Sequence, residues 1–244
     1  MQITTDVVLS RLVAQQRSLD ITAHNIANAA TPGFKGERMV FADWIAPRTG
    51  GEPGGIAFSQ DRLSYREMSA GTINHTGNPL DLAITGDGWF TVETARGPRL
   101  TRGGRFTLGS DGTITDQSGQ ALLDTQGKHL QIGPTDGTIA VASDGTISSD
   151  NGQLGRVGVV RPQDTTHLLA EGGDALRADV PTSPVAAPQI VQGGLEESNV
   201  QPILAVSDMT TLLREFQFTT QFLQAESDRV QQTIDKLATQ SSNV

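Results

Sequence analysis

Four Asp-Gly pairs are the first candidates for chemistry in this 244-residue chain, because glycine turns rich in carboxylates can bind Ca²⁺. A calcium loop needs acidic or amide side chains at alternate positions and a closing glutamate, or the glycine spacing of the nonapeptide repeat. Asp144-Gly145-Thr146-Ile147-Ser148 supplies neither pattern. The pairs, which begin at Asp87, Asp111, Asp136 and Asp144, are therefore interpreted as turns.

No other constellation predicts catalysis or a cofactor site. Gly86-Asp87-Gly88 lacks the third glycine and the following helix of a dinucleotide fingerprint, and no Gly-x-Ser-x-Gly surrounds a nucleophile. Asp81 is the only carboxylate between Thr76 and Gly86, and one carboxylate does not make an acid/base pair. We expect no catalytic residue, no metal and no cofactor. The histidines are scattered without metal-ligand spacing: His24, His75, His129 and His167.

Composition narrows the classes of partner. The formal net charge is -9 and the chain has no basic stripe, which argues against nucleic acid and anionic membranes. It has no cysteine, so it forms no disulfide. No apolar run approaches the roughly 18 residues of a membrane-spanning helix, so we expect no membrane insertion. The first residues do not resemble a Sec-type signal peptide.

The element that dominates the sequence is a predicted C-terminal helix at residues 202–237. Apolar residues recur along it at alternating steps of three and four, the pattern of a coiled-coil strand, with polar lapses at Thr220 and Ser227. Leu212, Phe218 and Phe222 widen this seam in the middle. The seam consists of Val206, Met209, Leu213, Phe216, Leu223, Val230, Ile234 and Leu237.

A predicted N-terminal helix at residues 5–29 repeats the pattern, with Leu9, Leu12, Leu19 and Ile26 in the same 3-4 alternation. Thr31-Pro32-Gly33 ends it, because proline lacks the backbone N–H and disfavours helix in the preceding residue. Two such seams indicate pairing, either with each other or with neighbouring subunits. An ordinary amphipathic helix on a globular core is the competing interpretation.

The middle of the chain is predicted to be β-rich. Thr49-Gly50-Gly51-Glu52-Pro53-Gly54-Gly55 indicates a loop, and extended segments on either side would form a hairpin-like arm. From Thr76 onward short alternating segments predict strands, with hairpins at the Asp111, Asp136 and Asp144 pairs and a proline-rich loop after Pro181. The predicted class is α+β, with an N-terminal helix at 1–33, an arm at 34–75, a β domain at 76–198 and a C-terminal helix at 199–244.

Four segments of the chain resemble the bacterial flagellar rod and hook protein family. They are Ala23-His24-Asn25-Ile26-Ala27-Asn28-Ala29-Ala30-Thr31-Pro32-Gly33-Phe34-Lys35, Thr76-Gly77-Asn78-Pro79-Leu80-Asp81-Leu82-Ala83-Ile84, Leu100-Thr101-Arg102-Gly103-Gly104-Arg105-Phe106 and Gly194-Leu195-Glu196-Glu197-Ser198-Asn199-Val200. The residues taken as family motifs are Asn25, Asn28, Thr31, Pro32, Gly33, Phe34, Gly77, Asn78, Pro79, Leu80, Glu196, Ser198, Asn199 and Val200.

The resemblance implies a structural subunit of the flagellar rod in the basal body. Its terminal helices would pair into the inner tube of an axial structure, with copies of itself and other rod proteins as partners. The β domain would sit outside, the arm would bridge neighbours, and the flagellar type III apparatus would export the chain. Gly86-Asp87-Gly88-Trp89 and Arg214-Glu215-Phe216 are more similar to proximal than to distal rod members.

A second hypothesis is a secreted binding module, in which the β domain grips a polymer and the helices form a dimerisation stalk. Trp89 and Phe90 would be its exposed platform, whereas core packing is the simpler interpretation of two adjacent aromatic residues in a strand. A hydrolase fused to a rod protein is a third, weaker hypothesis.

Overall fold

The computed structural model describes residues 2–46, 56–171 and 174–241, and its contacts divide the chain into two compact units. The first unit comprises Met1–Ala27, Glu37–Tyr65 and Pro202–Val244, and the second comprises Asn28–Gly36 and Arg66–Gln201. The predicted α+β class, with a β-rich middle and a helix at each end, is confirmed. The predicted four-part division at 1–33, 34–75, 76–198 and 199–244 stays a prediction, because two units made of non-contiguous segments do not test it.

Two helices and two strands form the described part of the first unit. Helix α1 spans Gln2–Ala27 and helix α2 spans Pro202–Ser241. Strands β1 (Glu37–Ala46) and β2 (Ile56–Arg66) pair in a two-stranded sheet, so the extended segments expected for the arm are strands. The predicted loop at 49–55 lies outside the described residues. Within this unit α1 packs against both α2 and β1.

The helix ends follow from their residues. Proline is well tolerated at the first position of α2, where its missing N–H has no helical partner to lose. α1 ends at Ala27, close to the predicted stop, and the Thr31 N–H bonds to the Asn28 carbonyl at 3.0 Å in the turn that follows. Pro32 then prevents any continuation of the helix.

The second unit is built from short strands and one 3-10 helix, Thr165–His167. Its strands are β3 (Ile73–His75), β4 (Leu82–Thr85), β5 (Trp89–Thr94), β6 (Gly97–Thr101), β7 (Thr107–Leu108), β8 (Ile114–Thr115), β9 (Ala121–Leu122), β10 (Ala140–Val141), β11 (Thr146–Ser149), β12 (Gly152–Arg156), β13 (Val159–Pro162), β14 (Leu168–Ala170), β15 (Leu176–Ala178), β16 (Thr182–Pro184), β17 (Gln189–Gln192) and β18 (Gly194–Glu196).

One large sheet organises this unit. Its strand order is β14-β15-β6-β5-β9-β8-β7, and β13 joins β5 and β16. A three-stranded sheet, β10-β11-β12, and two pairs, β17-β4 and β18-β3, complete the unit. The predicted proline-rich loop after Pro181 is partly wrong, because β16 pairs with β13 there. Pro184 is compatible with this position, since β16 has β13 as its one partner and proline is tolerated in edge strands.

Two of the three predicted Asp-Gly hairpins form. The Asp111 pair connects β7 to β8 and the Asp144 pair connects β10 to β11, both antiparallel. Their glycines have φ of +80° and +88°, values that side chains disfavour. The Asp136 pair is not a hairpin, because β9 and β10 on either side of it are not partners. Instead, Asp136 accepts hydrogen bonds from the Gly133 N–H and the Ser149 hydroxyl.

The core is formed by both faces of β5. Phe90 is fully buried and meets Phe106 edge-on, with ring centroids 5.4 Å apart. Trp89 points to the opposite face and packs with Leu100 and Leu176. The hypothesis of an exposed platform at Trp89 and Phe90 is therefore wrong, because adjacent strand residues face opposite ways and both faces of β5 are covered.

Candidate functional site: a buried junction and the helix faces

Three charged side chains meet inside the second unit, where the segments after α1 and before α2 come together. Lys35, Arg102 and Glu196 are 3%, 6% and 1% exposed. The Lys35 Nζ donates to Glu196 Oε1 at 2.5 Å, and the Arg102 Nε lies 2.9 Å from Glu196 Oε2. We call these three residues the junction triad. They come from three of the four family-like segments.

The junction triad has two cations and one carboxylate, so backbone carbonyls must accept the remaining donors. Lys35 Nζ also donates to the Ser69 carbonyl at 2.8 Å. The terminal nitrogens of Arg102 donate to the carbonyls of Gly86 and Gly88, and its guanidinium carbon lies 5.8 Å from the Trp89 ring centroid. These contacts offset the cost of burying the two cations, while Glu196 Oε2 is held by the Arg102 charge and has no hydrogen-bond partner among the described residues.

Burial lowers the pKa of Lys35, while its hydrogen bond to Glu196 and the carboxylate charge act in the opposite direction. Glu196 Oε1 also accepts the Gly71 N–H at 3.0 Å. The contacts described for the junction triad are with one another, with backbone groups and with the Trp89 ring, so the arrangement holds chain segments together.

The turn after α1 requires glycine at position 33. The φ of Gly33 is +74°, and a Cβ there would overlap the backbone of Arg102 and Gly103. This close approach lets the Gly33 N–H donate to the Glu196 carbonyl at 2.7 Å. The backbone of Glu196 therefore binds the same turn that its side chain binds through Lys35.

Asn199, three residues after β18, connects the residue that precedes β1 to the residue that follows β2. Its Nδ2 donates to the Glu67 carbonyl at 2.7 Å, and its Oδ1 accepts the Gly36 N–H at 2.8 Å. Arg66 adds a hydrogen bond to the Lys35 carbonyl at 3.2 Å. The junction thus combines residues 31–36, 66–72 and 194–200 in one hydrogen-bonded layer.

The other family-motif residues lie in separate places. In the first unit, Asn25 donates to the Glu37 carbonyl and accepts the Glu37 N–H, both at 2.8 Å, which fixes the start of β1. In the second unit, Gly77 and Asn78 form a turn in which the Asn78 Nδ2 donates to Asp81 at 3.0 Å. Ser198 accepts the Val200 N–H at 3.1 Å, and Phe34 is buried. The remaining members lie in turns and bends: Asn28, Thr31, Pro32, Pro79 and Leu80.

Lys35 and Arg102 lie inside family-like segments, but the sequence pattern does not select them as site residues. It also gives no sign of Glu67, Ser69 and Gly71. Lys35 and Glu196 are separated by 161 positions, so no local spacing could show that they meet. A weak signal is present, because a lysine follows Phe34 directly in a segment that is otherwise nearly uncharged.

The α2 seam is divided between half-buried and exposed positions. Its every-seventh members, Met209, Phe216, Leu223 and Val230, are half-buried, while Leu213 is 41% exposed. Val206 and Ile234 are also exposed, and the side chain of Leu237 lies outside the described residues. A second set of protected positions also recurs every seven residues, each one position before a predicted seam position at 206, 213, 220 or 227. These positions are Ala205, Leu212, Thr219 and Glu226.

Helix α1 shows the same division. Leu19 is buried and Leu12 and Ile26 are half-buried, whereas Leu9 is exposed. The protected alternate positions are Val8, Gln15 and Thr22, each one residue before a position of the predicted row that recurs every seven residues from Leu9, namely Leu9, Gln16 and Ala23. The reason is that the sequence pattern selects the most apolar row, whereas the protected row in each helix contains polar residues. Whether Leu9, Val206, Leu213 and Ile234 line an interface between subunits stays a prediction.

A second apolar row is exposed on α2. Phe218 and Phe222 are four residues apart, which places them on one face, and they are 71% and 49% exposed. Leu204 is also exposed, and at 3.6 residues per turn it lies on the same face as Phe222. Leu212 is half-buried, so it belongs to the protected row and these two phenylalanines do not.

Metal-binding clusters and membrane spans are both absent from the part of the chain that the structure describes. Among those residues, no cluster of three or more His, Cys, Asp or Glu could hold a metal ion. Within the same ranges, neither helix combines the length and apolar character needed to cross a membrane.

Family models match three stretches of the chain. Residues 6–35 match the flagella basal body rod protein model, and residues 83–149 match the flagellar hook protein FlgE/F/G D1 domain. Residues 191–236 match the flagellar basal body rod FlgEFG protein C-terminal model.

Curated relatives match the chain from end to end. The flagellar basal-body rod protein FlgF of Caulobacter vibrioides is 35% identical over 95% of this chain and 96% of its own length. FlgF of Mesorhizobium japonicum is 30% identical over 99% of this chain and 100% of its own length. The flagellar basal-body rod protein FlgG of Bacillus subtilis is 29% identical over 90% of this chain and 93% of its own length.

Proposed function

Since the chain belongs to the flagellar basal-body rod protein family, and is a structural subunit of the basal body, we propose that it assembles into the rod through the exposed faces of its two terminal helices. The carrying observation is the set of large apolar side chains that α1 and α2 leave exposed, on more than one face of α2, including Leu9, Leu213 and Phe218. Apolar rows of this kind usually mark a contact with another protein.

The partners are copies of this chain and other flagellar rod subunits. Packing of coiled-coil type suits the 3-4 spacing of the protected and exposed rows, which lie side by side on each helix. A helix with two apolar rows can contact one helix within its own chain and another from a neighbour. Contacts between different surfaces of identical subunits extend into a helical filament, as a rod requires.

The proximal rod is the proposed location. The relatives named FlgF are 35% and 30% identical to this chain, and the relative named FlgG is 29% identical. Gly86-Asp87-Gly88-Trp89 and Arg214-Glu215-Phe216 also resemble proximal members more closely. A distal position remains the alternative within the same family.

We further propose that the assembled helices transmit torque and surround the export channel, and that the flagellar type III apparatus exports the chain. Strands β1 and β2 would reach neighbouring subunits. The chain performs no chemistry in this role, which agrees with the junction triad being held entirely by structural contacts.

Leu213→Asp tests the assembly surface. Leu213 is exposed in the single chain, so the variant should fold normally, as judged by its far-UV circular dichroism. Its incorporation into basal bodies purified from a strain that lacks the native copy should fall at least about tenfold, because burying an unpaired carboxylate costs more than the roughly 1.4 kcal/mol that tenfold represents.

Gln232→Asp is the matched control, because Gln232 is exposed on α2, lies on the side opposite the protected row and Ile234, and is ten residues beyond Phe222. It should be incorporated normally. Wild-type incorporation and swimming of the Leu213→Asp strain would rule out this face as an assembly surface.

A further inference from the structure

We propose that Glu196 is a positioning residue that holds both ends of the second unit, called the β unit from here on, against the sheet of that unit. The segment after α1 and the segment before α2 would then become ordered together in the free subunit. No neighbouring subunit is needed for this role, so it goes beyond assembly and is independent of it. The observation behind it is the number of separate chain segments that Glu196 alone connects.

Three other chain segments meet at Glu196: residues 33–35, residues 71–73 and the end of β6. The Glu196 carbonyl accepts the Gly33 N–H, and Oε1 accepts Lys35 Nζ and the Gly71 N–H. Arg102 approaches Oε2 from the end of β6. The backbone of Glu196 also pairs with Ile73 in β3. Since Glu196 lies six residues before α2, its side chain and peptide group connect the segment that follows α1 to the segment that precedes α2, in addition to the hydrogen bonds of Asn199.

The strand pairing at this point is weak without the junction triad. β18 and β3 form a two-stranded sheet of three residues each, and isolated two-stranded pairs are marginally stable in water. The junction triad must therefore supply much of the interaction that holds β18 against β3. The rest of the unit does not depend on it, because the core around Phe90 and Phe106 is formed by other strands.

Removing the carboxylate has a specific local consequence. Lys35 and Arg102 would remain buried as two like charges with no anion between them, and breaking a buried ion pair from one side is strongly destabilising. The cheapest relief is for residues 31–36 to move away from the sheet, which would expose Lys35 to water. That movement would break the hydrogen bond from the Gly33 N–H to the Glu196 carbonyl, and with Lys35 it would remove the donor to the Ser69 carbonyl.

Glu196→Gln is the test variant, because glutamine keeps the size of the side chain and removes its charge. Hydrogen–deuterium exchange of the full chain, followed by mass spectrometry of its peptides, should show exchange at least about tenfold faster in residues 28–36, 66–73 and 194–200. Peptides that cover β5, β6 and β11 should exchange at the wild-type rate.

Glu197→Gln is the matched control, because Glu197 is the adjacent residue in the same segment but is exposed. Its carboxylate accepts hydrogen bonds from Thr72 and Asn74 at the surface. This variant should leave the exchange of all three segments unchanged. Equal acceleration in both variants would show that any charge loss near β18 has this effect, and it would overturn the role of Glu196.

Two further results would also overturn it. Uniform acceleration throughout the β unit would mean that Glu196 supports global stability only, and unchanged exchange at residues 28–36 would mean that other contacts hold the turn. A double-mutant cycle with Lys35→Met adds a second readout: the double variant should open residues 28–36 no more than Glu196→Gln alone, because both changes act on one contact. If Glu196→Gln does not fold, Lys35→Met alone is read by the same criteria.

Discussion

At the scale of single residues, the groups that suggest chemistry are used for structure. Asp111 and Asp144 each accept hydrogen bonds from the N–H and hydroxyl of a threonine two residues later, and these bonds lower the pKa of both carboxyls. Local turn chemistry of this kind was predictable from the Asp-Gly spacing. The junction triad was not, because Lys35, Arg102 and Glu196 are brought together only by the completed fold.

Gly33→Ala gives a prediction at this scale, with Gly77→Ala as its matched control. Both glycines have φ near +75°, at +74° and +76°, so both substitutions carry the cost of the left-handed conformation, about 1–2 kcal/mol. A Cβ at Gly33 also overlaps backbone atoms of Arg102 and Gly103, whereas a Cβ at Gly77 meets no atom within 4 Å. We expect Gly33→Ala to lower the free energy of unfolding by about 3 kcal/mol or more.

Urea unfolding followed by tryptophan fluorescence measures the two losses side by side. The comparison removes the conformational cost that both variants share, so the difference reports the close approach between residue 33 and the backbone at residues 102–103. Equal losses in Gly33→Ala and Gly77→Ala would show that the chain relaxes around the new methyl group, and that the turn after α1 is not held against the sheet as described.

At the scale of elements, the sequence predicted both helices and their 3-4 periodicity. Every second position of the predicted seam, such as Leu213 in α2, lies one residue after a protected position. The periodicity of Met209, Phe216 and Leu223 fixes the face to within one position. It does not decide between the neighbouring rows, because a helix that contacts a partner in its own chain and one outside it has two apolar rows. Because the protected row contains polar residues such as Gln15, a prediction based on hydrophobicity does not select it.

Gln15→Leu tests whether the protected row of α1 is buried within the subunit. Gln15 is 7% exposed, and its amide has no hydrogen-bond partner among the described residues. Leaving a buried amide unpaired costs about 1–3 kcal/mol, and leucine has a similar volume without polar atoms. The variant should therefore raise the midpoint of thermal unfolding monitored at 222 nm, where the helices dominate the signal.

Gln16→Leu is the neighbouring control, because Gln16 is exposed and bonds to Asp20 at 3.1 Å on the helix surface. It should leave the midpoint nearly unchanged in the monomer. A higher midpoint for Gln16→Leu than for Gln15→Leu would mean that the row predicted from the sequence, and not its neighbour, is the one protected within a chain.

At the scale of the whole molecule, the order of helix, paired strands, β-rich middle and helix was predictable, since each element follows from local periodicity and turn residues. The unit boundaries were not. Asn28–Gly36 follows a helix in sequence, yet it belongs to the β unit because Gly33 and Lys35 contact distant residues, including Glu196, which is 161 positions from Lys35. Local patterns report which element forms and carry no information on which distant segment it joins.

The final prediction concerns the independence of the two units during unfolding. The β unit has a closely packed core, whereas most described side chains of α2 are exposed, so the helices of a free subunit should unfold at lower urea than the β unit. In a Trp44→Phe background, Trp89 is the only tryptophan and reports the β unit, while the signal at 222 nm reports mainly the helices. The two transitions should not coincide.

Phe106→Ala in the same background makes this prediction sharper. Phe106 is fully buried against Phe90, and its truncation should lower the stability reported by Trp89 by about 3–5 kcal/mol. The transition at 222 nm should keep its midpoint, because none of the helices belongs to that core. If both signals instead shift together, the units unfold as one cooperative structure, and the exposed helix faces are then stabilised within the subunit before any neighbour binds.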